Sequence, residues 1–388
     1  MSKSNDPGHF FQTETSLATA ARRAAKANNK SGNPIQCTSK ILAVLPDPLS
    51  STRVYVSESC GIVRRVDLET DSKSHTYKEH TVPTPAIALS ADGKTLFGGS
   101  WDKTITAWDV ETRAVKQTFK GHTDFVKALL FIPCAPGSRY APGLLLSGSS
   151  DKDIIVWNSA TGEKLHVLKG HNRSVGAMVV DPIAFTAETA VVYTAGSERE
   201  IRQWKISLSD ITSSSESEIP ILEHDTSVFA LKFTGEDYDF WSASADFTAR
   251  RIDVRSAKKK NGERTDTVLK HPDYVNDVLV AGNWVITACR DEEVRVWDAG
   301  SGELYHTFSG HADEVSGLAL IGERQDLLVS VSIDCTVRRW SLKPADLRTA
   351  KQAAASGNIA ESKERQDGPS MLTEEEEREL AELMEDSD

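Results

Sequence analysis

The sequence has no long apolar run. No stretch approaches the roughly 18 consecutive apolar residues that a membrane-spanning helix needs. The first residues, MSKSNDPGHFFQTETSL, also lack an apolar core followed by small residues at a cleavage site, so they do not predict a secretory signal. We therefore expect a protein with no membrane partner.

Cysteine is scarce, and its spacing does not suit covalent or metal chemistry. The five cysteines include no Cys-x-x-Cys pair, and no Cys and His residues stand at the spacing of a zinc site. Because isolated thiols stay reduced in the cytosol and the nucleus, we predict one or both of these compartments. Neither a disulfide framework nor a metal site is expected.

Motifs for catalysis and nucleotide binding are missing as well. The sequence contains neither the Gly-x-Ser-x-Gly elbow of many hydrolases nor a phosphate-binding loop. Its net charge of −12 opposes a general affinity for nucleic acids, although that argument does not extend to a local basic patch. We predict no enzymatic activity and no cofactor.

The sequence does contain an internal repeat. The segments KGHTDFVKALLF and LLLSGSSDKDIIVWN recur as SGHADEVSGLAL and LLVSVSIDCTVRRWS. Each copy has a His, an apolar strand, a second strand ending in Ser or Thr, a tight turn with Asp and a third strand ending in Trp. Ser147, Asp151 and Trp157 are separated by four and then six residues, and the same frame, with substitutions, occurs seven times.

The period of the repeat indicates a β-propeller. Histidines begin the copies at intervals of 40 to 53 residues, at His80, His122, His171, His224, His271 and His311. Periods of about 40–45 residues are typical of four-stranded propeller blades. The two longest intervals contain the loop-like insertions 133–143 and 207–220. Over residues 37–343 the chain resembles the WD40-repeat family, which implies an all-β fold with seven blades.

The resemblance implies a buried polar network in each blade. In the family, the Asp on the hairpin turn orients the His, and the Trp indole N–H ends on the Ser or Thr hydroxyl. Buried polar groups are tolerated when each has a partner, and they then fix the register of the blade. Three copies carry all four members: His122, Ser147, Asp151 and Trp157; His271, Thr287, Asp291 and Trp297; and His311, Ser330, Asp334 and Trp340. The first copy carries none of them.

The segments outside the repeats are expected to form two tails. Residues 1–36 form an N-terminal arm with a basic segment at 21–30, and the strand-like stretch 9–15 (HFFQTET) is predicted to supply the missing fourth strand of the last blade. Residues 344–388 are predicted to be disordered up to a short acidic helix at 373–385. That helix is either a solvated terminus or a motif that docks in a partner's groove.

The resemblance also implies a scaffold that binds other proteins or peptides. In the family, the loops before the first strands surround the central opening and receive peptide partners. The partner-binding candidates at these positions are Phe125, Lys127, Phe229, Tyr274 and Asn276. Aromatic anchors suit such a site, and the alternative is that these side chains pack between blades. We predict a monomeric, non-catalytic platform within a multiprotein complex.

An alternative function is suggested by two basic segments. Residues 21–30 of the arm and 258–264 (KKKNGER) would suit contacts with RNA phosphates in an RNA-associated or ribosome-assembly factor. No aromatic residues alternate with these charges, as they do on surfaces that read bases. Nucleic acid is therefore a less favoured partner than protein.

A second alternative comes from the segment 245–255. It resembles the box ending in Trp-Asp-x-Arg of substrate receptors that serve cullin-4 ubiquitin ligases. Asp246, Asp253 and Arg255 match that box, whereas Ile252 stands where it has Trp. One match in a repeat protein is a narrow basis for this function.

Overall fold

The strands form seven four-stranded antiparallel sheets, which confirms the predicted all-β fold with seven blades. The computed structural model describes residues 14–26, 29–217, 219–234, 238–256, 259–322 and 324–353. The chain divides into two units, Met1–Leu342 and Lys343–Asp388. The first unit contains the propeller, and in the second residues 344–353 are helical.

The first unit begins with a helix, α1 (Glu14–Lys26), and a two-residue strand, β1 (Ile35–Gln36). Blade 1 contains β2 (Ile41–Pro46), β3 (Arg53–Glu58), β4 (Ile62–Asp67) and β5 (Lys73–Lys78). Blade 2 contains β6 (Ala86–Leu89), β7 (Thr95–Gly99), β8 (Thr104–Asp109) and β9 (Val115–Lys120). Blade 3 contains β10 (Val126–Pro133), β11 (Gly143–Ser149), β12 (Ile154–Asn158) and β13 (Lys164–Leu168).

The remaining blades follow in chain order. Blade 4 contains β14 (Val175–Val180), β15 (Thr189–Gly196), β16 (Arg202–Ser207) and β17 (Ser215–Glu216), with a short 3₁₀ helix at Ile211–Ser213. Blade 5 contains β18 (Val228–Thr234), β19 (Asp239–Ser244), β20 (Thr248–Ile252) and β21 (Thr265–Lys270). Blade 6 contains β22 (Val275–Ala281), β23 (Trp284–Cys289), β24 (Glu293–Asp298) and β25 (Leu304–Ser309). Blade 7 contains β26 (Val315–Ile321), β27 (Leu327–Ser332), β28 (Thr336–Ser341) and β1.

The middle strands of a blade are buried between the neighbouring blades. Strands β11 and β12 are buried along their whole length. Their sequences, GLLLSGS and IIVWN, have the nearly continuous apolar pattern of strands that are covered on both faces. Leu146 and Val156 of blade 3 belong to one core cluster with Val192 and Trp204 of blade 4. The core of the ring is thus a series of apolar layers between adjacent blades.

The ring is closed by a strand other than the predicted one. Strand β1 pairs with β28, with Ile35 opposite Val337 and Gln36 opposite Thr336. Residues 9–13 of the predicted stretch 9–15 lie outside the described residues, and its last two residues belong to α1. The prediction of 9–15 as the closing strand is therefore wrong. Because β1 comes shortly before β2, the same stretch of chain completes blade 7 and leads directly into blade 1.

The hairpin between the second and third strands has a recurrent backbone conformation. In six blades the residue after the Asp position has a φ angle between 67° and 82°. This left-handed region is unfavourable for residues other than glycine. The six residues are Gly61, Lys103, Lys152, Phe247, Glu292 and Cys335. Five of the turns therefore hold a side chain on a strained backbone, a condition that often accompanies function.

Candidate protein-interaction site on the histidine face

One face of the propeller is formed by two sets of loops. The first set precedes the innermost strand of each blade, and the second set is the hairpins that join the second and third strands. We call this the histidine face, because the first set carries His80, His122, His171, His224, His271 and His311. The predicted polar networks join the two sets, since the His stands in one and the Asp in the other.

In blade 3 the four predicted residues form a continuous hydrogen-bonded chain. Asp151 lies 2.9 Å from His122 Nδ1, and His122 Nε2 lies 2.7 Å from Ser147 Oγ. Trp157 Nε1 donates to the same hydroxyl at 2.8 Å. Because a carboxylate only accepts hydrogen bonds, Nδ1 of His122 carries a proton that it donates to Asp151. Blade 7 has the same chain, at distances of 2.8–3.0 Å, through His311, Ser330, Asp334 and Trp340.

Blade 4 has a complete chain with a glutamate in place of the aspartate. Glu198 accepts a hydrogen bond from His171 Nδ1, and His171 Nε2 lies 2.6 Å from Thr194 Oγ1. Trp204 Nε1 donates to that hydroxyl at 2.7 Å. The longer side chain reaches the imidazole, so Glu198 takes the place of the Asp in this blade.

Blade 6 does not form the predicted chain. His271 Nε2 and Trp297 Nε1 both lie within 2.9 Å of Thr287 Oγ1, as expected. Asp291, however, accepts two hydrogen bonds from Arg295, at 2.5 and 3.0 Å. The Nδ1 atom of His271 lies instead 3.1 Å from the Leu269 carbonyl oxygen. The prediction of Asp291 as the partner of His271 is wrong, because a permanently charged guanidinium binds a carboxylate more strongly than a neutral imidazole does.

Blade 5 shows that an arginine at the same position need not displace the histidine. Arg250 stands four residues after Asp246, and its guanidinium lies 3.2 Å from the carboxylate. It also donates to the Thr248 hydroxyl and to a backbone carbonyl, so the carboxylate remains 2.8 Å from His224 Nδ1. His224 Nε2 lies 2.7 Å from Ser242 Oγ, where the chain ends for lack of a Trp.

Blade 2 lacks the hydroxyl of the network. Asp102 lies 2.5 Å from His80 Nδ1, but Gly98 occupies the Ser/Thr position, and His80 Nε2 lies 3.2 Å from its carbonyl oxygen. The buried indole nitrogen of Trp108 has no hydrogen-bond partner among the described residues. The loop and the hairpin remain joined, whereas the third strand does not contribute.

Blade 1 has a substitute that the repeat pattern does not reveal. Glu58 is fully buried in β3, two residues before the Asp position. Its carboxylate accepts hydrogen bonds from the backbone N–H groups of Thr38 and Ser39, at 3.1 and 2.9 Å, and from the guanidinium of Arg64. A carboxylate therefore holds the loop to the hairpin strand here too. The sequence signal was a charged residue within the apolar strand RVYVSE.

The networks shift the acid–base properties of their members. Burial raises the pKa of Asp334, but hydrogen bonds from His311 and from backbone outweigh it and lower the pKa to about 2. The pKa of Asp151 is lowered in the same way against the effect of burial. Burial and the neighbouring Arg295 lower the pKa of His271 to about 4. At neutral pH the side chains of Asp151 and Asp334 are therefore carboxylates, and the imidazole of His271 is neutral.

Two groups of exposed aromatic side chains lie on the histidine face. The first joins blades 2 and 3, where the rings of Trp101 and Phe125 stack with centroids 5.1 Å apart. The side chains of these two residues are 41% and 37% exposed. Phe125 is one of the predicted candidates, and Trp101 is not. Together they form one flat apolar surface.

The second group joins blades 5 and 6. Phe247 stacks on Tyr274 at 5.6 Å, and Phe229 meets the edge of the same ring at 6.0 Å. The guanidinium of Arg290 lies 5.0 Å from the centre of the Tyr274 ring. Phe229 and Phe247 are 38% and 44% exposed. The predicted candidates Phe229 and Tyr274 are thus brought together, and Phe247 adds to them.

The residues that the sequence did not select have a detectable signal. Trp101 and Phe247 flank the Asp in the turns SWDK and ADFT. The turn of a hairpin lies at the surface, so a large aromatic side chain there is not explained by burial in the core. Its presence favours a role in binding.

The two remaining candidates line the central opening. Lys127 lies on its wall together with the base of Phe229. Asn276 lies there as well, but its amide donates to the Glu314 carboxylate at 2.9 Å and to the Val315 carbonyl at 2.8 Å. Asn276 therefore joins blades 6 and 7. The five candidates form separate groups around the face and do not form one cluster.

The basic segment of the N-terminal arm lies against acidic residues of the histidine face. The carboxylate of Glu292 is 2.9 Å from Arg22, 3.6 Å from Arg23 and 3.2 Å from Lys26. Arg23 also lies 2.5 Å from Asp313. The side chain of Glu292 is only 1% exposed as a result. These cations, which would suit RNA, are paired with the protein's own carboxylates.

The second basic segment, 258–264, is partly neutralised as well. Lys259 forms an ion pair with Asp253 at 3.1 Å. Arg264 donates to the carbonyl oxygens of Asp253 and Ser256 at 3.2 Å. Lys258 lies outside the described residues. The two basic segments do not present a continuous row of unpaired cations within the part that is described.

The residue that would complete a cullin-4 box is engaged elsewhere. Arg255 lies 3.6 Å from Asp181 and donates to the Tyr238 carbonyl oxygen at 3.2 Å. Its guanidinium also lies 5.6 Å from the Phe233 ring. Ile252, in place of Trp, is buried.

The described ranges show no arrangement for metal binding or membrane insertion. Within them, no three His, Cys, Asp or Glu side chains are grouped so that they could hold a metal ion. None of the helices in this part of the chain combines the length and apolar character that crossing a bilayer requires. The acidic segment 373–385 lies outside the described residues, so both interpretations of it stay predictions.

Comparison with known proteins agrees with the repeat pattern. A family model for WD40, described as WD domain, G-beta repeat, matches residues 71–109, 113–158, 262–298 and 302–341. These ranges cover parts of blades 1 to 3 and 5 to 7.

Full-length and partial relatives were found. An uncharacterized WD repeat-containing protein of Schizosaccharomyces pombe is 35% identical, over 99% of this chain and the whole of that protein. Periodic tryptophan protein 2 of Arabidopsis thaliana is 28% identical over 42% of this chain, but over only 17% of its own length. Myosin heavy chain kinase C of Dictyostelium discoideum is 27% identical over 35% of this chain and 16% of its own. The full-length match, together with the family model and the seven blades, shows that the chain belongs to the WD repeat (WD40) family.

Proposed function

We propose that the chain is a non-catalytic scaffold that binds segments of other proteins on its histidine face, within a multiprotein complex. The observation that carries this proposal is the presence of exposed aromatic rings on that face, at the junction of blades 2 and 3 and at the junction of blades 5 and 6. Large aromatic side chains supply most of the binding energy in many protein interfaces.

Two of the aromatic residues lie next to members of the buried networks. Trp101 directly precedes Asp102, whose carboxylate lies 2.5 Å from His80 Nδ1. Phe247 follows Asp246, which lies 2.8 Å from His224 Nδ1. The buried networks thus fix the turns that carry the exposed rings. A ring that is already fixed loses little conformational entropy when a partner binds, which favours affinity.

The test is to remove one aromatic group at a time. We expect Trp101→Ala with Phe125→Ala, and separately Phe229→Ala with Phe247→Ala, to weaken partner binding by about 2 kcal/mol or more per group that the partner contacts. The measurement is affinity purification of the full chain from its own cells, with quantitative mass spectrometry.

The matched control removes exposed apolar side chains from another surface. Val115 and Leu304 are 43% and 48% exposed on the outer strands β9 and β25. Val115→Ala with Leu304→Ala should leave the captured proteins unchanged, and all three variants should melt like the wild type. If both aromatic variants retain every partner of the wild type, the histidine face is not the binding surface.

The other functions suggested by the sequence have no comparable support. Arg22, Arg23 and Lys26 of segment 21–30 are paired with carboxylates of the propeller, and Arg255 is engaged with Asp181. An RNA-binding protein would instead lose its partners after nuclease treatment or after charge reversal of Lys259 and Lys260. The proposal places the protein in the cytosol or nucleus, where its five unpaired cysteines would stay reduced.

A further inference from the structure

A cavity of about 360 Å³ lies between blades 1 and 2, on the face opposite the histidine face. Its walls come from the loops after the first and third strands, which end away from the histidine loops. Leu49, Tyr55 and Val110 give it an apolar lining, and Arg65 lies within it. None of these residues takes part in the networks of the histidine face or in the proposed function.

Arg65 is a buried cation that has no carboxylate partner among the residues that the structure describes. It is 9% exposed, and its Nε atom has no hydrogen-bond partner among the described residues. The guanidinium lies 3.0 and 3.1 Å from the two ring nitrogens of His75. Within the described chain, no carboxylate lies within ion-pair distance of it. A buried charge that lacks a counter-charge is unfavourable, because the protein interior replaces the water that would solvate it.

The corresponding arginines of other blades do have carboxylate partners. Arg251 and Arg339 stand at the same strand position, one residue before the Trp position of blades 5 and 7. Arg251 lies 2.7 Å from Asp266, and Arg339 lies 3.0 Å from Asp71. Arg65 is more deeply buried than Arg251, which is 34% exposed, and still lacks such a partner. Among these three arginines, only Arg65 has no carboxylate within ion-pair distance in the described part of the chain.

The acidic residues of the cavity wall have partners of their own or lie at its rim. Asp47 accepts the Leu49 backbone N–H at 3.0 Å and the Tyr55 hydroxyl at 3.4 Å. Asp109 accepts backbone N–H groups of its own loop and pairs with Lys116. Glu111 is exposed at the rim. Arg53 and Lys94 also line the cavity, and Arg53 pairs with Asp67 at 3.2 Å.

From this geometry we infer that the cavity binds a carboxylate carried on a small apolar body, with the carboxylate on Arg65 and the apolar body against Leu49, Tyr55 and Val110. A guanidinium matches a carboxylate with two parallel hydrogen bonds. The terminal residue of a peptide and a free organic acid share this chemistry, and the probes distinguish them.

The test uses isothermal titration calorimetry on the full chain with four probes. N-acetyl-leucine presents the terminal carboxylate of a peptide, and 4-methylpentanoate is an organic acid with a similar apolar body. N-acetyl-leucinamide is the uncharged control, and inorganic phosphate is the control for charge alone. We expect at least one of the two carboxylates to bind at least tenfold more tightly than the amide and phosphate. Tighter binding of N-acetyl-leucine identifies a peptide terminus, and tighter binding of 4-methylpentanoate identifies an organic acid.

Variants connect the binding to the cavity. Arg65→Met should weaken carboxylate binding at least tenfold, whereas Arg251→Met, at the equivalent position of blade 5, should not. Leu49 is 68% exposed at the mouth, so Leu49→Glu should fold normally and also weaken binding by repulsion. In the absence of ligand, Arg65→Met should melt at or above the temperature of the wild type.

Several results would overturn the inference. Equal affinities for the acids and for N-acetyl-leucinamide would show that the charge plays no part in binding. No binding heat for either acid at a concentration of about 20 mM would show that the cavity is not a binding site. Unchanged binding in Arg65→Met, or in Leu49→Glu if Arg65→Met does not fold, would place the ligand elsewhere. A failure here leaves the proposed function untouched, because the histidine face is on the opposite side.

Discussion

An aspartate at the same position of the repeat has different partners in different blades. Asp151 bonds to His122, whereas Asp291 bonds to Arg295. The two blades share the spacing of Ser or Thr, Asp and Trp, and they differ in the residue four places after the Asp, which is Ile155 in blade 3 and Arg295 in blade 6. The role of this residue is therefore decided by its neighbours on the adjacent strand.

A double-mutant cycle would measure this difference. We expect Asp151→Ala and His122→Ala to be coupled by about 1–3 kcal/mol of unfolding free energy, because removing either leaves a buried polar group without its partner. In blade 6 the coupling should lie between Asp291 and Arg295, and that between Asp291 and His271 should be close to zero. Chemical denaturation of the single and double mutants gives these values. A large coupling of Asp291 with His271 would contradict the hydrogen-bond assignment.

The buried His271 should make stability depend on pH. The pKa of its imidazole is lowered from 6.5 to about 4 by burial and by Arg295, so between these values the unfolded chain binds a proton that the folded chain excludes. The contribution of the neutral His271 to the free energy of unfolding is complete above about pH 6.5 and is lost as the pH falls towards 4. We expect His271→Gln to reduce the slope of the denaturation midpoint in this window.

The control for this measurement is His166→Gln, on the partly exposed outer strand of blade 3. That variant should keep the wild-type slope between pH 4 and 6.5. The carboxyl of Asp334 does not affect this pH window, because folding lowers its pKa from 3.8 to about 2. Its contribution is therefore lost only at a lower pH. Equal slopes in both histidine variants would mean that His271 is not buried in its neutral form.

At the scale of elements, α1 is held to the propeller by charge. Its cations Arg22, Arg23 and Lys26 converge on Glu292, whose backbone has a φ angle of 78°. Exposed ion pairs are individually weak, but several cations around one carboxylate form a network whose strength depends on salt. We therefore expect the attachment of α1 to the acidic residues of the histidine face to weaken as the ionic strength rises.

Reversing these charges should release the helix. We expect the triple variant Arg22→Glu, Arg23→Glu and Lys26→Glu to speed amide hydrogen exchange across α1 while leaving exchange in the blades unchanged. The control is Lys30→Glu, since Lys30 is exposed and forms no ion pair within the described chain. Raising the salt concentration of the wild type should have a similar but smaller effect. Unchanged exchange in the triple variant would show that α1 is held by something other than charge.

The elements differ in how far the sequence predicts them. The blades were predictable, because buried middle strands require long apolar stretches such as GLLLSGS, and the networks require polar residues at fixed spacing. Strand β1 was not, because two residues carry no periodic signal. Arg295 as the partner of Asp291 and Glu58 as the acid of blade 1 could not be foreseen either. Both depend on which side chains the strands bring together.

At the scale of the whole molecule, the ring depends on β1. Ile35 is 4% exposed and belongs to one core cluster with Val329, Val331 and Val337. We expect deletion of residues 1–36 to lower the melting temperature, since burial of the Ile35 side chain alone contributes about 2 kcal/mol and the edge of β28 would be left unpaired. Deletion of residues 1–13 should leave the melting temperature unchanged. The opposite result would restore 9–15 as the closing strand.

Closure by β1 also has a consequence for synthesis on the ribosome. Ile35 of β1 pairs with Val337 of β28, so β1 remains unpaired until a residue 302 positions later has been translated. At about 5–20 residues per second, that delay is roughly 15–60 s. During this time each finished blade presents its inner apolar layer to a neighbour that has not yet emerged. A nascent chain of this protein is therefore exposed to aggregation for most of its synthesis, and any chaperone that shields its first blade must remain bound until the last blade has been made.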